Sequence, residues 1–417
     1  MKQRVIIIGQ GYTGRLSITR SVGQMGYEVI LIALVHFKSG GKTLYKGRIF
    51  DAYSKYVKQI YYCHTRDDKG LIEILLNQCK EDGQKPVIIP DNDFSAAVID
   101  QHLDELKDYF LMPNIHQEQG AVAAWMNKIK QKEQAQLMGL NVADSHIIKI
   151  RDGKYNLYPG IKYPCFAKPA VSIKGGKSGL KKCCNEQELS IHIDSLCHFD
   201  HLDVLVEKYM EIEQEFAVLG FSDGKDVVIP GKLELLKVAH GSHYGVGIQG
   251  RVSPVGNHEK IIEAFKKYIL SIGFAGIFDI DYYISHDLVY FGELNLRFGG
   301  SGYAYTKMGV NLPAMFVKYL CGEEYKSMPK TVTGSATYVN ERMLIDEWLD
   351  GYITKKEYKH LKNDSDISFI EDDDDKEPSE RLKKRMQIEE FKYFIKKCLG
   401  KKILQSCKNL RQSLGRK

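Results

Sequence analysis

Two apolar runs dominate the later half of the chain, Gly276-Ile-Phe-Asp-Ile-Asp-Tyr-Tyr-Ile284 and Tyr290-Phe-Gly-Glu-Leu-Asn-Leu296. A turn at Ser285-His286-Asp287 lies between them, so together they read as an antiparallel hairpin. Such a hairpin can bring Asp281, Glu293 and Asn295 to one end, with Arg297 two residues beyond. Three hard oxygen donors beside an arginine suit Mg²⁺ bridging nucleotide phosphates. The arginine would stabilise charge on a transferred phosphoryl group. A surface hairpin with scattered charges is the plainer alternative.

The 417 residues are enough for two or three domains. With 43% apolar and 27% charged residues the chain has a globular composition. No run approaches the roughly 18 apolar residues of a membrane span. The N-terminus goes straight into a strand, so a cleavable signal peptide is not expected. The 9 cysteines are scattered without Cys-x-x-Cys spacing, which fits reduced thiols in cytoplasm. Cys183-Cys184 reads as packing. The net charge of +6 is uneven: residues 381–417 carry 13 Lys/Arg against Glu389 and Glu390, leaving −5 on residues 1–380. The basic character therefore belongs to a tail, and no nucleic-acid partner is expected.

Val5–Ile8 reads as a buried strand. Gly9-Gln-Gly11-Tyr-Thr-Gly14 and a helical stretch to about Met25 follow, then a second strand over Gly26–Ala33. This is a βαβ opening with a Gly-x-Gly-x-x-Gly turn. The second strand ends without an acid to hold a ribose, so a nicotinamide or flavin reading is disfavoured. Strand Pro86–Pro90 leads into Asp91-Asn-Asp93, which can face a substrate or cap the helix after it.

Tyr163-Pro-Cys-Phe-Ala-Lys-Pro169 is an apolar strand carrying Lys168. A buried ammonium needs a partner, and phosphate oxygens would supply one. The glycine-rich stretch after it, with Lys174, Gly175, Gly176 and Ser178, can present backbone N–H groups to phosphates. It is not a P-loop, because Gly-x-x-x-x-Gly-Lys-Ser/Thr is absent. Two strands around a short turn follow, over Val204–Met210 and Glu213–Gly220. His240 and His243 invite a metal reading, but no third ligand is evident. Lys260–Ile272 reads as a helix.

The Glu293-Leu-Asn295-Leu-Arg297 strand, Asp281 before it and the Lys168 strand with its glycine loop resemble the ATP-grasp ligases, over about residues 1–340. The resemblance is to the D-aspartate-ligase-like and carbamoyl-phosphate-synthase-like members. It implies a Rossmann-like open parallel α/β domain (1–120), then a two-lobed α+β ATP-grasp domain (121–340, smaller lobe about 145–210). A C-terminal extension (341–417) would combine an acidic linker with a basic amphipathic helix. Asp281, Glu293 and Asn295 would bind Mg²⁺, or Mn²⁺. Lys128 and Lys168 would meet nucleotide phosphates, with Lys128 on a basic helix that can equally be a solvated face. Glu207 and the backbone at Lys208 and Met210 would receive adenine, and Glu215 the ribose; each acid can instead face solvent. Gly11, Asp93, Arg251, Gly300 and Ser301 would contact the other substrate, Gly300 and Ser301 through helix N-terminal amides. Arg297 and Lys168 would be catalytic.

The implied activity joins a carboxylate to an amine through an acyl phosphate, on a glycan-linked cell-wall precursor or on soluble amino acids or peptides; a nucleotide-binding protein without ligase activity is the alternative. A homodimer is compatible with it. The run Glu371-Asp-Asp-Asp-Asp375 reads as a solvated linker. Beyond it, Phe391, Ile395, Leu399, Ile403, Leu410 and Leu414 lie near one helix face among lysines. That face suits an anionic membrane surface, the body of the protein or a partner. Cytoplasmic location, with contact at the inner membrane face, is the matching expectation.

Overall fold

The computed structural model describes residues 2–35, 49–171, 179–199, 201–240 and 246–398. Lys174, Gly175, Gly176, Ser178, His243 and the tail beyond 398 lie outside the described residues.

The first sheet takes β1 (Arg4–Gly9), β2 (Glu28–Val35), β3 (Val57–His64) and β4 (Val87–Pro90). They run parallel in the order β3-β2-β1-β4. Val5 to Ile8 are fully buried, as an unbroken apolar run in a central parallel strand requires. Helix Tyr12–Gly23 packs on one face. It stops slightly before Met25, and Gly26 turns the chain with φ +87°. At 12–23 and at β2 the structure therefore follows the opening pattern of the sequence.

β5 (Asn114–Ile115) joins a later sheet, described below. β6 (Ser145–Arg151), β7 (Cys165–Pro169), β8 (Lys181–Cys183) and β9 (His201–Lys208) form a small antiparallel sheet, ordered β6-β9-β7-β8. It has its own core, including Ile148, Ile150, Ala167, Leu189 and Ile193.

The largest sheet contains β10 (Gln214–Asp223), β11 (Val227–Val228), β12 (Lys232–Val238), β13 (Gly247–Ser253), β14 (Phe274–Ser285), β15 (Leu288–Asn295), β16 (Ala336–Val339) and β17 (Ile367–Ser368). Its path is β15-β14-β10-β12-β13-β16-β17, with β11 on β10 and β5 on β14. Helix Glu259–Ile272 buries Ile262, Phe265, Ile269 and Ile272 beneath it. The i, i+3, i+7, i+10 spacing makes one stripe, and each such side chain contributes about 1.5–3 kcal/mol when fully buried. Gly273 ends the helix in the left-handed region, φ +68°. On the other face, helix Leu312–Leu320 shares a core with Ile18 and Val22 of the first helix. That core joins the parallel sheet to the large one.

The acidic run departs from its expected role as a solvated linker. Asp375 is buried and pairs with fully buried Arg20 at 2.9 Å. Asp372 is buried too, and accepts from the Tyr303 hydroxyl at 2.9 Å and Lys307 at 3.1 Å. Arg20 also donates to the Phe369 and Ile370 carbonyls. A like-charge run predicts solvation only when no cations await it, and here they come from distant segments. Helix Glu377–Cys398 then packs back through Leu382 and Met386.

Candidate active site

The hairpin forms as β14 and β15, and its register decides the site. Asp281 pairs with Glu293, and Asp279 pairs with Asn295. Directly opposed residues share a face, as do alternate residues along a strand. Four polar side chains therefore line one face. A register shift after Asp281 makes this possible, with Gly292 as the extra residue. A Cβ at Gly292 would lie 2.8 Å from the Asp281 carbonyl oxygen, so the bulge needs glycine.

Burial, Asp279 and Glu293 push Asp281 well above the ordinary carboxylate range. For Glu293 burial acts upward, but Lys128 and Lys168 outweigh it and hold the group low. Crowded carboxylates of this kind favour a bound cation. Among the described residues no three His, Cys, Asp or Glu side chains form a metal cage as they stand. The third donor in the expected set is an amide, Asn295. Hard oxygen donors fit Mg²⁺ better than a softer metal.

Helix Lys128–Leu137 opens on an Asn127 cap that accepts from the Ile129 and Lys130 N–H groups. Its first residue, Lys128, pairs with Glu293. One turn later Lys132 donates to Glu207 Oε1 at 2.8 Å and to the Ala143 carbonyl at 2.6 Å. Lys168 on β7 meets the other oxygen, Oε2, at 2.8 Å. Glu207 is thus gripped by two lysines and buried, not solvent-facing. Burial opposes its charge, but Lys168 and Lys132 keep it ionised. Burial lowers the Lys132 ammonium despite Glu207. Lys132 was not anticipated; the signal was its i, i+4 spacing from Lys128.

Beside these groups lies a cavity of ≈ 670 Å³ between the small sheet and the large one. Phe166, Met210 and Leu235 supply apolar lining, while Lys168, Glu207 and Glu215 supply charge. The size and mixture suit a small aromatic ligand. Lys208 also lines it, but its backbone N–H already donates to the Asp144 carbonyl at 2.9 Å. That N–H is thus already engaged within the protein. Burial alone raises Glu215.

The acidic loop divides its roles. Asn92 caps helix Asp93–Gln101, accepting from the Ser95 N–H. Asp93 accepts from Arg297 Nε at 3.2 Å. Asp91 accepts from the Gln10 N–H at 3.2 Å and lies against the glycine turn. A Cβ at Gly9, Gly11 or Gly14 would come within 1.4, 3.4 or 3.2 Å of Asp91 side-chain oxygens. A carboxylate thus occupies the glycine cradle, and Gly11 borders Asp91. Burial pushes Asp91 up to about 7.

The substrate contacts expected of Arg251, Gly300 and Ser301 look different in place. Arg251 on β13 is exposed and donates to Glu234 at 2.9 Å, so its charge already has a carboxylate. Gly300 and Ser301 sit in the turn after Arg297, but the helix beyond is only Tyr303–Lys307. Five residues build too little dipole for the anion-binding helix end expected there. His240 is held by buried Glu347, through Nδ1 at 2.7 Å and its backbone N–H at 2.6 Å, and stacks on Tyr352. That carboxylate gives His240 a protein partner. Asp279, also unanticipated, accepts from Arg297 Nη1 at 3.1 Å.

A family model for the D-ala D-ala ligase C-terminus matches residues 135–299. A carbamoyl phosphate synthase large chain from Clostridium perfringens is 28% identical over 40% of this chain, but that match spans only 16% of the relative. A formate-dependent phosphoribosylglycinamide formyltransferase from Wolinella succinogenes is 22% identical over 87% of this chain and 93% of its own. Among solved structures, the N5-carboxyaminoimidazole synthetase of Staphylococcus aureus with ADP superposes at TM-score 0.60 and 17% identity, covering 84% of this chain and 86% of that one. An L-amino acid ligase from Bacillus licheniformis gives TM-score 0.57 at 14% identity, over 81% and 79%. At these identities the superpositions establish the fold.

Proposed function

We propose that this chain, an ATP-grasp protein by fold, is an ATP-dependent carbon–nitrogen ligase releasing ADP and phosphate. ATP would phosphorylate a carboxylate oxygen, giving an acyl phosphate and ADP. An amine would attack the acyl carbon, the C–O bond to phosphate would break, and the amine would lose a proton as the amide forms. The observation that carries this reading is the β14–β15 register, with Asp281 opposite Glu293 and Asp279 opposite Asn295, beside the Lys168 and Glu207 cavity.

Adenine would enter the cavity between Phe166 and Leu235. Lys128 and Lys168 would exchange their carboxylate partners for phosphate oxygens. Asp281, Glu293 and Asn295 would hold Mg²⁺ or Mn²⁺, which when bound neutralises phosphate charge. Arg297 would steady charge on the transferred group. Little covalent work by the protein is needed; positioning and charge do most of it. The family match and the relatives' names support this reading.

The finer proposal is that one substrate is a cell-wall or surface-glycan precursor; the basic C-terminal segment supports it. Soluble amino acids or peptides are the competing substrates. ADP release with pooled acids and amines tests the reaction class: release should need both pools. Glu293→Gln should cut it by about 100-fold or more. Near-normal turnover in that variant would sink the metal assignment.

A further inference from the structure

We propose that Asp279 is a positioning residue that fixes Arg297 to the hairpin carrying Asp281, Glu293 and Asn295, leaving one end of the guanidinium for a ligand; this rests on the nucleotide-dependent reading above. Arg297 has five N–H donors in a rigid plane. Nε donates to Asp93 Oδ1 at 3.2 Å. Nη1 donates to Asp279 Oδ2 at 3.1 Å and to the Phe298 carbonyl at 3.4 Å. Among the described residues Nη2 has no acceptor, so its two donors remain for a ligand.

The two carboxylates are not equivalent. Asp93 belongs to a helix of the parallel-sheet unit, and its side chain is 29% exposed. Asp279 is on β14, 12% exposed, two residues from Asp281. Asp279 therefore ties Arg297 to the strand pair that holds the other charged groups. Among the described residues its Oδ1 is buried without a partner. A carboxylate half satisfied in the interior is costly, and the contact with Arg297 is what offsets it.

Gly299 gives independent support. A Cβ there would lie 2.4 Å from Asp279 Oδ2, the oxygen that Arg297 uses. The glycine after Arg297 thus makes room for the clamp. Asp279→Ala and Gly299→Ala disturb one contact from opposite sides.

The test compares Kd for Mg²⁺·ADP with Kd for Mg²⁺·ADP plus aluminium fluoride, a planar mimic of the transferred phosphoryl group, by calorimetry. It needs no knowledge of the acid or amine. Wild type should bind the fluoride complex more tightly than ADP. Asp279→Ala should weaken the fluoride complex by about 100-fold, the effect of a misplaced group, and leave ADP within about twofold. Gly299→Ala should shift the same constant in the same direction. A general folding defect would weaken both constants equally. Fluoride binding that survives both substitutions overturns the clamp while leaving the nucleotide site intact. A wild-type protein that binds no Mg²⁺·ADP overturns the nucleotide reading itself, and the clamp with it.

Discussion

Asp91 changes the meaning of a familiar glycine pattern. Gly9, Gly11 and Gly14 leave the space that a pyrophosphate uses in dinucleotide enzymes, and here a carboxylate fills it. The turn's lack of side chains serves an internal contact. Burial, which pushes Asp91 up to about 7, also makes a pH signature. The unfolded chain takes up this proton only near the ordinary value of about 3.9. The native state binds it below about pH 7, so this group stabilises the fold at acid pH and that contribution is lost as pH rises through 7. Between pH 5 and 8 the wild-type melting temperature should fall relative to that of Asp91→Asn. Parallel pH profiles for the two proteins would refute this. Residues of the hairpin were legible because their types and spacing imply a register. Asp279 and Lys132 were not, because only folded distances show which of several nearby charges meet.

At the scale of elements, alternation and glycine signals placed the strands and helices well. Strand β7, helix Glu259–Ile272 and the hairpin lie close to where the sequence puts them. The bulge at Gly292 was hidden, since a single glycine in a strand pattern has several meanings. The acidic run 371–375 misled for a clearer reason. Composition reports charge without its partners, and Arg20 lies 355 residues from Asp375. Removing one member of a buried pair typically costs about 3–5 kcal/mol. Asp375→Ala should destabilise the protein on that scale in chemical denaturation. A change near zero would mean that the Phe369, Ile370 and Asp375 backbone carbonyls bonded to Arg20 suffice without the carboxylate.

In the whole molecule, the parallel sheet and the large sheet share one apolar core, whereas the small sheet has its own. Nucleotide would therefore sit where the separately cored unit meets the rest. Toward the C-terminus, Ile388 and Phe391 are exposed on helix Glu377–Cys398. They lie away from Leu382 and Met386, which face the body. Residues 381–417 carry 13 Lys/Arg, and such a segment should bind anionic lipid. Protein comprising residues 1–417 should pellet with phosphatidylserine vesicles at low salt, and protein ending at residue 398 should pellet less. Equal pelleting would assign no lipid role to the segment beyond 398. Among the described residues no helix is long and apolar enough to cross a membrane.

The Arg20–Asp375 pair also sets a timetable for synthesis. Chains emerge from the ribosome N-terminus first, at roughly 5–20 residues per second. Helix Tyr12–Gly23 appears early, yet the acceptors around Arg20 belong to Phe369, Ile370 and Asp375. Until those residues emerge, the guanidinium stays hydrated and that side of the helix stays open. The helix that carries Arg20 thus completes these contacts only after residue 375 has been made.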